Sequence, residues 1–350
     1  MKTALLIILV LLLTGLAVLA LLINRWRNSP HGRLSLAAAI IGKLADWQAA
    51  SGDKSPQAMR ASRDKSIGFF IARPAGVHAV RDLDIPGPGV ALPVRIYTPQ
   101  ASLAALPIII YFHGGGWVLG NLHSHDNLCR TLAAKTSAIV VSVDYRLAPE
   151  NPFPAALDDA VAALHWVAAH APTFNGDSTR IALAGDSAGG NLAAALSLQA
   201  REQQGPAIAA QALLYPAVDL SNLDRPSILQ FAQGLFLTRE RMDWFIDQYV
   251  PDQAMRSSPL VSPLLAGNHQ HLPPALIITA GLDPLRDEGE AYAAALEQAG
   301  VATRLTRIEG VIHGFASMDR WFPEASQATD LIAGFLREQF SKVAAQSGKN

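Results

Sequence analysis

The sequence predicts an α/β protein: a mostly parallel sheet of eight strands, helices on both faces, and a helical cap. Three observations carry this reading. From residue 77 onward, short apolar runs of strand length alternate with longer runs of helical period. Most of the short runs are apolar throughout rather than at every second residue, as in strands buried on both faces. One stretch, residues 224–258, breaks the rhythm with aromatics and no strand pattern, and so reads as an insertion above the sheet.

Composition narrows the classes. There are 28 Lys+Arg against 29 Asp+Glu among 350 residues, a formal net charge of -1. Near-neutral charge without a basic block argues against nucleic acid as a partner. One cysteine excludes a disulfide framework and a thiolate metal cluster. Half the residues are hydrophobic, too many for a disordered chain.

The first element is residues 1–23. Ala4 to Ile23 carries no charge, and only Thr14 is polar. Such a run spans roughly 30 Å as a helix, the thickness of a bilayer's hydrocarbon. The expectation is a single membrane anchor; the alternative is a cleaved signal peptide, followed by export. The apolar run exceeds the usual signal core, which favours the anchor. Arg25, Arg27 and Arg33 follow the span and Lys2 precedes it, so the charge rule keeps the catalytic body in the cytoplasm. Residues 24–33, with Pro30 and Gly32, read as a linker.

Residues 34–73 read as two helices that belong to a cap. Ala37, Ile40, Ile41, Leu44 and Trp47 have helical spacing. Ser55-Pro56 reads as an N-cap followed by proline at the first helical position. Residues 74–350 read as the catalytic domain, with 224–258 as the cap's second part. The strands fall at 77–85, 90–97, 106–112, 138–143, 180–184, 209–215, 275–280 and 303–308. Helices fall at 126–136, 154–169, 188–203, 284–299 and 325–339.

The chemistry starts at Gly185-Asp186-Ser187-Ala188-Gly189, a G-x-S-x-G string between a strand and a small-residue helix. That context is what a nucleophile elbow requires: a turn so tight that glycine must flank an exposed serine. Alone, the string is also a common loop. A second string, HGGGW at 113–117, follows another apolar strand. Its glycines let backbone N–H groups approach a ligand oxygen. The expected oxyanion donors are the amides of Gly114, Gly115 and Ala188.

A serine hydroxyl needs a base, and the base an orienting acid. After Ser187, Asp283 and His313 each stand just beyond a strand, at the functional edge of a parallel sheet. Asp219 competes from one strand earlier. Asp287 and Glu288 fall in a helix pattern, and His269 and His271 in a Pro-bounded loop.

With these motifs in hand, the chain resembles the bacterial hormone-sensitive-lipase family of α/β-hydrolase esterases, from about Ser55 to Glu338. The resemblance rests on HGGGW (113–117), DYRLAPE (144–150), FPAALDDA (153–160), GDSAGGN (185–191), DPLRDE (283–288) and IHGF (312–315). It implies the α/β-hydrolase fold, Ser187 as nucleophile, His313 as base and Asp283 as orienting acid. It implies a carboxylic ester hydrolase acting through an acyl-enzyme, and the aromatics that the insertion at 224–258 brings over the sheet point to short- to medium-chain acyl esters. It also implies that residues 34–73 and 224–258 form the cap. The N-terminal apolar segment departs from the family's many soluble members.

No metal or organic cofactor is expected, and the partner is a small-molecule ester. His113, His123 and His125 lack acidic neighbours at ligand spacing. Cys129 fits a core register. Trp117, Phe231, Phe236 and Phe315 are candidate pocket residues, with ordinary packing as the equal alternative. Two other functions stay open. An amidase or deacetylase would use the same triad. A non-catalytic receptor would share the fold, as plant gibberellin receptors do; those lack the catalytic histidine, and His313 is present here.

Overall fold

The computed structural model describes residues 2–29, 32–51 and 55–347. Helix α1 (Lys2–Arg27) runs unbroken for 26 residues, about 39 Å at the helical rise. Among the described residues it is the one helix long and apolar enough to cross a membrane, by length and composition.

The expected linker at 24–33 is ordered instead. Nothing between Asn24 and Arg27 breaks a helix, so α1 continues through them. A two-residue antiparallel ladder follows, β1 (Asn28–Ser29) against β2 (Gly32–Arg33). Its base is closed by Leu34 N–H donating to Arg27 O at 2.8 Å and Arg27 Nε–H donating to Leu34 O at 3.1 Å. Pro30 and the side chain of Trp47 lie outside the described residues.

Helices α2 (Leu36–Ser51) and α3 (Pro56–Phe70) follow. The Ser55 hydroxyl caps α3 by accepting Ala58 N–H at 3.3 Å, which satisfies one orphan donor of the first turn. Arg60 docks α3 on the body. It donates to Val118 O and Ala148 O at 2.8 Å each and pairs with Glu150 at 2.7 Å.

The sheet has eight strands: β3 (Ala79–Pro86), β4 (Ala91–Thr98), β5 (Leu106–Phe112), β6 (Ile139–Val143), β7 (Gly176–Asp186), β8 (Ala210–Leu214), β9 (Ala275–Leu282) and β10 (Thr303–Ile312). Their order is β10-β9-β8-β7-β5-β6-β4-β3, and only the pairings of β4 with β3 and β6 are antiparallel. Alternation along β5 divides the core. Ile108, Ile110 and Phe112 face one hydrophobic cluster, and Ile109 and Tyr111 face the other. The first cluster lies under α5 (Ala155–His170), α6 (Ala188–Glu202) and α9 (Arg286–Gln298). The second lies under α4 (Asp126–Thr136) and α10 (Glu324–Ser347), and Cys129 is buried in it. Both faces of the central strands are therefore dry, which is why those strands are apolar without alternation.

The stretch after β8 contains two helices, α7 (Pro226–Gln230) and α8 (Arg239–Tyr249), and no strand. Helix α2 reaches it, since a β-carbon on Gly42 would sit 3.4 Å from Gly234 O.

Candidate active site

The elbow forms where β7 ends at Asp186 and α6 begins at Ala188. Between them Ser187 has φ 55° and ψ -119°, a sparsely populated backbone conformation for a side chain with a β-carbon. The turn closes only because its neighbours are glycines. A β-carbon on Gly185 would meet the Gly189 backbone, and one on Gly189 would meet Phe112 O. The Ser187 N–H donates to Leu214 O at 2.8 Å and fixes the turn to β8.

Strands β7, β8, β9 and β10 lie side by side, so the loops after β9 and β10 arrive beside the elbow. The first carries Asp283 and the second His313. His313 Nε2 lies 2.8 Å from Ser187 Oγ, and His313 Nδ1 lies 2.7 Å from Asp283 Oδ2. Asp283 is fully buried, and its other oxygen accepts Leu285 N–H at 2.9 Å. The edge of the Tyr215 ring packs against the imidazole, centroids 4.9 Å apart. The three residues chosen from the sequence thus meet in one unbroken chain of polar contacts.

The competing residues are held elsewhere. Asp219 pairs with Arg225 at 2.5 Å and accepts the Ser221 hydroxyl. Asp287 accepts Ser227 N–H, and His269 contacts Pro263 O at 3.0 Å. Glu288 is buried and accepts Val218 N–H at 2.8 Å. Burial pushes its carboxyl up to about 8, against the opposing pull of that amide.

One expected oxyanion donor is corrected. Gly114 N–H donates to Asp186 Oδ1 at 2.8 Å, so it is committed to the carboxylate next to the nucleophile. The Gly115 and Gly116 amides have no acceptor among the described residues. Ala188 opens α6, where the first N–H groups of a helix lack internal partners.

Sequence reasoning missed Asp186. Besides Gly114, its carboxylate accepts the Tyr111 hydroxyl at 2.7 Å and lies 3.2 Å from His125 Nε2. Burial alone would raise its pKa. The His125 charge and the hydrogen bonds from His125, Tyr111 and Gly114 outweigh burial and hold it below the usual carboxylate range. The only signal was an acid placed between a strand-end glycine and the serine. The same cluster takes up two of the three histidines that raised the metal question, His113 and His125. His113 stacks on Tyr145 at 4.3 Å, and Tyr145 donates its hydroxyl to His113 O at 2.7 Å. Burial first, and the His125 charge second, push the His113 imidazole down to about 3, so it is neutral.

Of the four candidate pocket aromatics, three are packing residues. Trp117 stacks flat on Tyr249 at 4.4 Å, Phe315 is fully buried against Tyr215 and Phe322, and Phe231 is buried beneath Arg286. Phe236 borders the catalytic loop, 3.5 Å from where a β-carbon on Gly314 would sit.

The chain matches a family model described as alpha/beta hydrolase fold over residues 109–317. The chain belongs to the α/β-hydrolase family. Its relatives there include named esterases. It is 43% identical to the carboxylic ester hydrolase LipN of Mycobacterium tuberculosis over 270 residues, 75% of this chain and 71% of that one. It is 37% identical to the ethyl acetate hydrolase of Pseudomonas putida over 301 residues, 85% of this chain and 93% of that one. The structure of the hyperthermophilic esterase from Pyrobaculum calidifontis superimposes with a TM-score of 0.83 at 41% identity, covering 87% of this chain and 98% of that one. The motif resemblance to α/β-hydrolase esterases, and the sheet predicted with it, are borne out.

Proposed function

We propose that this α/β-hydrolase, a carboxylic ester hydrolase, works through Ser187, His313 and Asp283 and an acyl-enzyme intermediate. The observation that carries this reading is the contact chain from Ser187 Oγ to His313 Nε2 at 2.8 Å and from His313 Nδ1 to Asp283 Oδ2 at 2.7 Å. His313 accepts the Ser187 proton as Oγ attacks the ester carbonyl. Asp283 keeps the imidazole in the tautomer that presents Nε2 to the serine and stabilises the imidazolium that forms. The carbonyl oxygen gains negative charge against the amides of Gly115, Gly116 and Ala188. Collapse of the tetrahedral intermediate breaks the C–O bond, and the alcohol leaves with the proton from His313. Water, deprotonated by the same histidine, then releases the acid and regenerates Ser187.

The test is labelling by a fluorophosphonate probe together with hydrolysis of 4-nitrophenyl butyrate. Both are expected in the wild type and absent in Ser187→Ala. Probe labelling without ester turnover would leave a reactive serine but remove the hydrolase reading.

Residues 34–73 and 224–258 form the cap in this proposal, and α1 is a retained span with the hydrolase body on the cytoplasmic side. The length of α1 and the arginines after it support that placement.

A further inference from the structure

The cap carries two half-buried guanidinium groups, Arg63 and Arg241, that make no ion pair with a carboxylate among the described residues. Other arginines of the cap are paired with acids, Arg60 with Glu150, Arg225 with Asp219 and Arg256 with Asp247. Arg63 on α3 and Arg241 on α8 have no ion pair among the described residues. Both residues are half-buried, and burial holds both guanidiniums below their ordinary range. Each half of the expected cap contributes one, and the Arg63 charge is felt at Arg241.

Arg241 lies beside the reaction centre and Arg63 behind the glycine loop. Arg241 Nη1 donates to Phe236 O at 2.8 Å, and its guanidinium lies 5.6 Å from the Phe236 ring and 6.0 Å from the Phe245 ring. Phe236 borders Gly314, next to His313, and Phe245 fills the space a side chain on Gly116 would need. Arg241 is therefore lodged between the two rings that roof the catalytic histidine and the glycine loop. Arg63 lines a cavity with Gly120 and Tyr145 behind that loop and is within electrostatic range of Asp186 and Tyr215.

The carboxylates nearby are committed. Asp186 serves Gly114, Tyr111 and His125; Asp283 serves His313; Asp64 accepts the Asn121 amide at 3.0 Å. Asp144 lines the same cavity without an ion pair to Arg63, and burial pushes its carboxyl up to about 6. Two half-buried like charges without an ion-pair partner raise the energy of the empty site. An anionic oxygen group relieves this through charge-assisted hydrogen bonds.

We propose that Arg63 and Arg241 form an anion subsite in the cap, and that the preferred substrate is an ester bearing a second, anionic oxygen group. The chemical class is a carboxylate- or phosphate-bearing ester, such as the half-ester of a dicarboxylic acid. This deepens the ester-hydrolase reading and rests on it.

The experiment compares kcat/KM within matched pairs on the full-length protein. Mono-4-nitrophenyl glutarate against 4-nitrophenyl pentanoate places the anion on the acyl side. The butyrate ester of 3-hydroxybenzoate against phenyl butyrate places a carboxylate on the alcohol side, and 4-(butyryloxy)phenyl phosphate places a phosphate there. The wild type should prefer the anionic member at least tenfold in one arm, and that arm identifies the group and its side. The preference should shrink as salt rises. It should also fall at least tenfold in Arg241→Gln and in Arg63→Gln, and persist in part in Arg241→Lys. Preference for the neutral ester in every arm overturns the proposal, and that result needs no variant to fold. A preference indifferent to both glutamine substitutions overturns it as well. Failure of every ester, neutral ones included, would instead remove the hydrolase reading beneath it.

Discussion

Asp186 Oδ1 accepts the Gly114 N–H at 2.8 Å, so the residue before the nucleophile holds the loop that faces it. The distance between Ser187 and the amides of Gly115 and Gly116 is set partly by this one bond. Asp186→Asn weakens the tie to Gly114 and removes the carboxylate that faces His125. The expected result is a fall in kcat of about tenfold to a hundredfold with little change in KM, the signature of a lost transition-state interaction. Fluorophosphonate labelling should persist, since the triad contacts remain. A raised KM at unchanged kcat would count against this role.

The acid of the triad is tested by comparing two buried aspartates. Asp283→Asn should lower kcat by roughly 10⁴-fold, because the wrong histidine tautomer is then favoured. Asp219→Asn should retain most activity, because that carboxylate serves Arg225 and Ser221. Steady-state kinetics on 4-nitrophenyl butyrate distinguishes them, and the reverse ranking would exchange their roles.

Glu288 imposes a pH dependence on stability. Its carboxyl is raised to about 8 in the fold, so the unfolded chain ionises first as pH rises. Unfolding then releases a proton, and stability falls between the ordinary carboxylate range and pH 8, where the loss is complete. Below that range both states are protonated and no loss occurs. Glu288→Gln keeps an acceptor for Val218 N–H and cannot ionise. Urea midpoints of the wild type should fall relative to this variant as pH climbs from about 5 to about 8. Parallel curves would show that Glu288 does not titrate in this window.

Acyl chain length reports on the roof. Phe236 and Phe245 stand close over the catalytic loop and Gly116. Each added methylene contributes about 0.8 kcal/mol only while it finds buried space. A 4-nitrophenyl ester series should peak at short to medium chains and decline toward palmitate. A rise continuing to palmitate would refute a closed pocket.

Much of the site was legible because each triad member stands immediately after a strand, and strand runs buried on both faces are the clearest signal in the chain. The serine's context, its two glycines and the order of Asp283 and His313 were sequential facts. The oxyanion loop was legible only to within one residue. Three consecutive glycines are equivalent in sequence, and which amides stay free depends on Asp186, 72 residues away from Gly114. The aromatics stayed open between pocket and packing for a related reason. Trp117 and Phe315 adjoin the catalytic motifs in sequence, yet their rings turn into the core against Tyr249 and Tyr215. Arg63 and Arg241 gave no sequence signal, because a missing ion pair becomes visible only when every neighbour is placed.

The short junction after α1 has a practical consequence. Ser35 N–H donates to Gly310 O at 2.8 Å, and Leu34 is bonded in both directions to Arg27. Gly310 precedes His313 by three residues on the same strand end. A shortened protein that starts at residue 25 keeps these bonds. One that starts at residue 36 strips them from the strand that delivers the catalytic histidine. Where the gene is cut for soluble expression therefore bears on the turnover measured afterwards, and an inactive preparation of the shorter form would reflect the scissors rather than the enzyme.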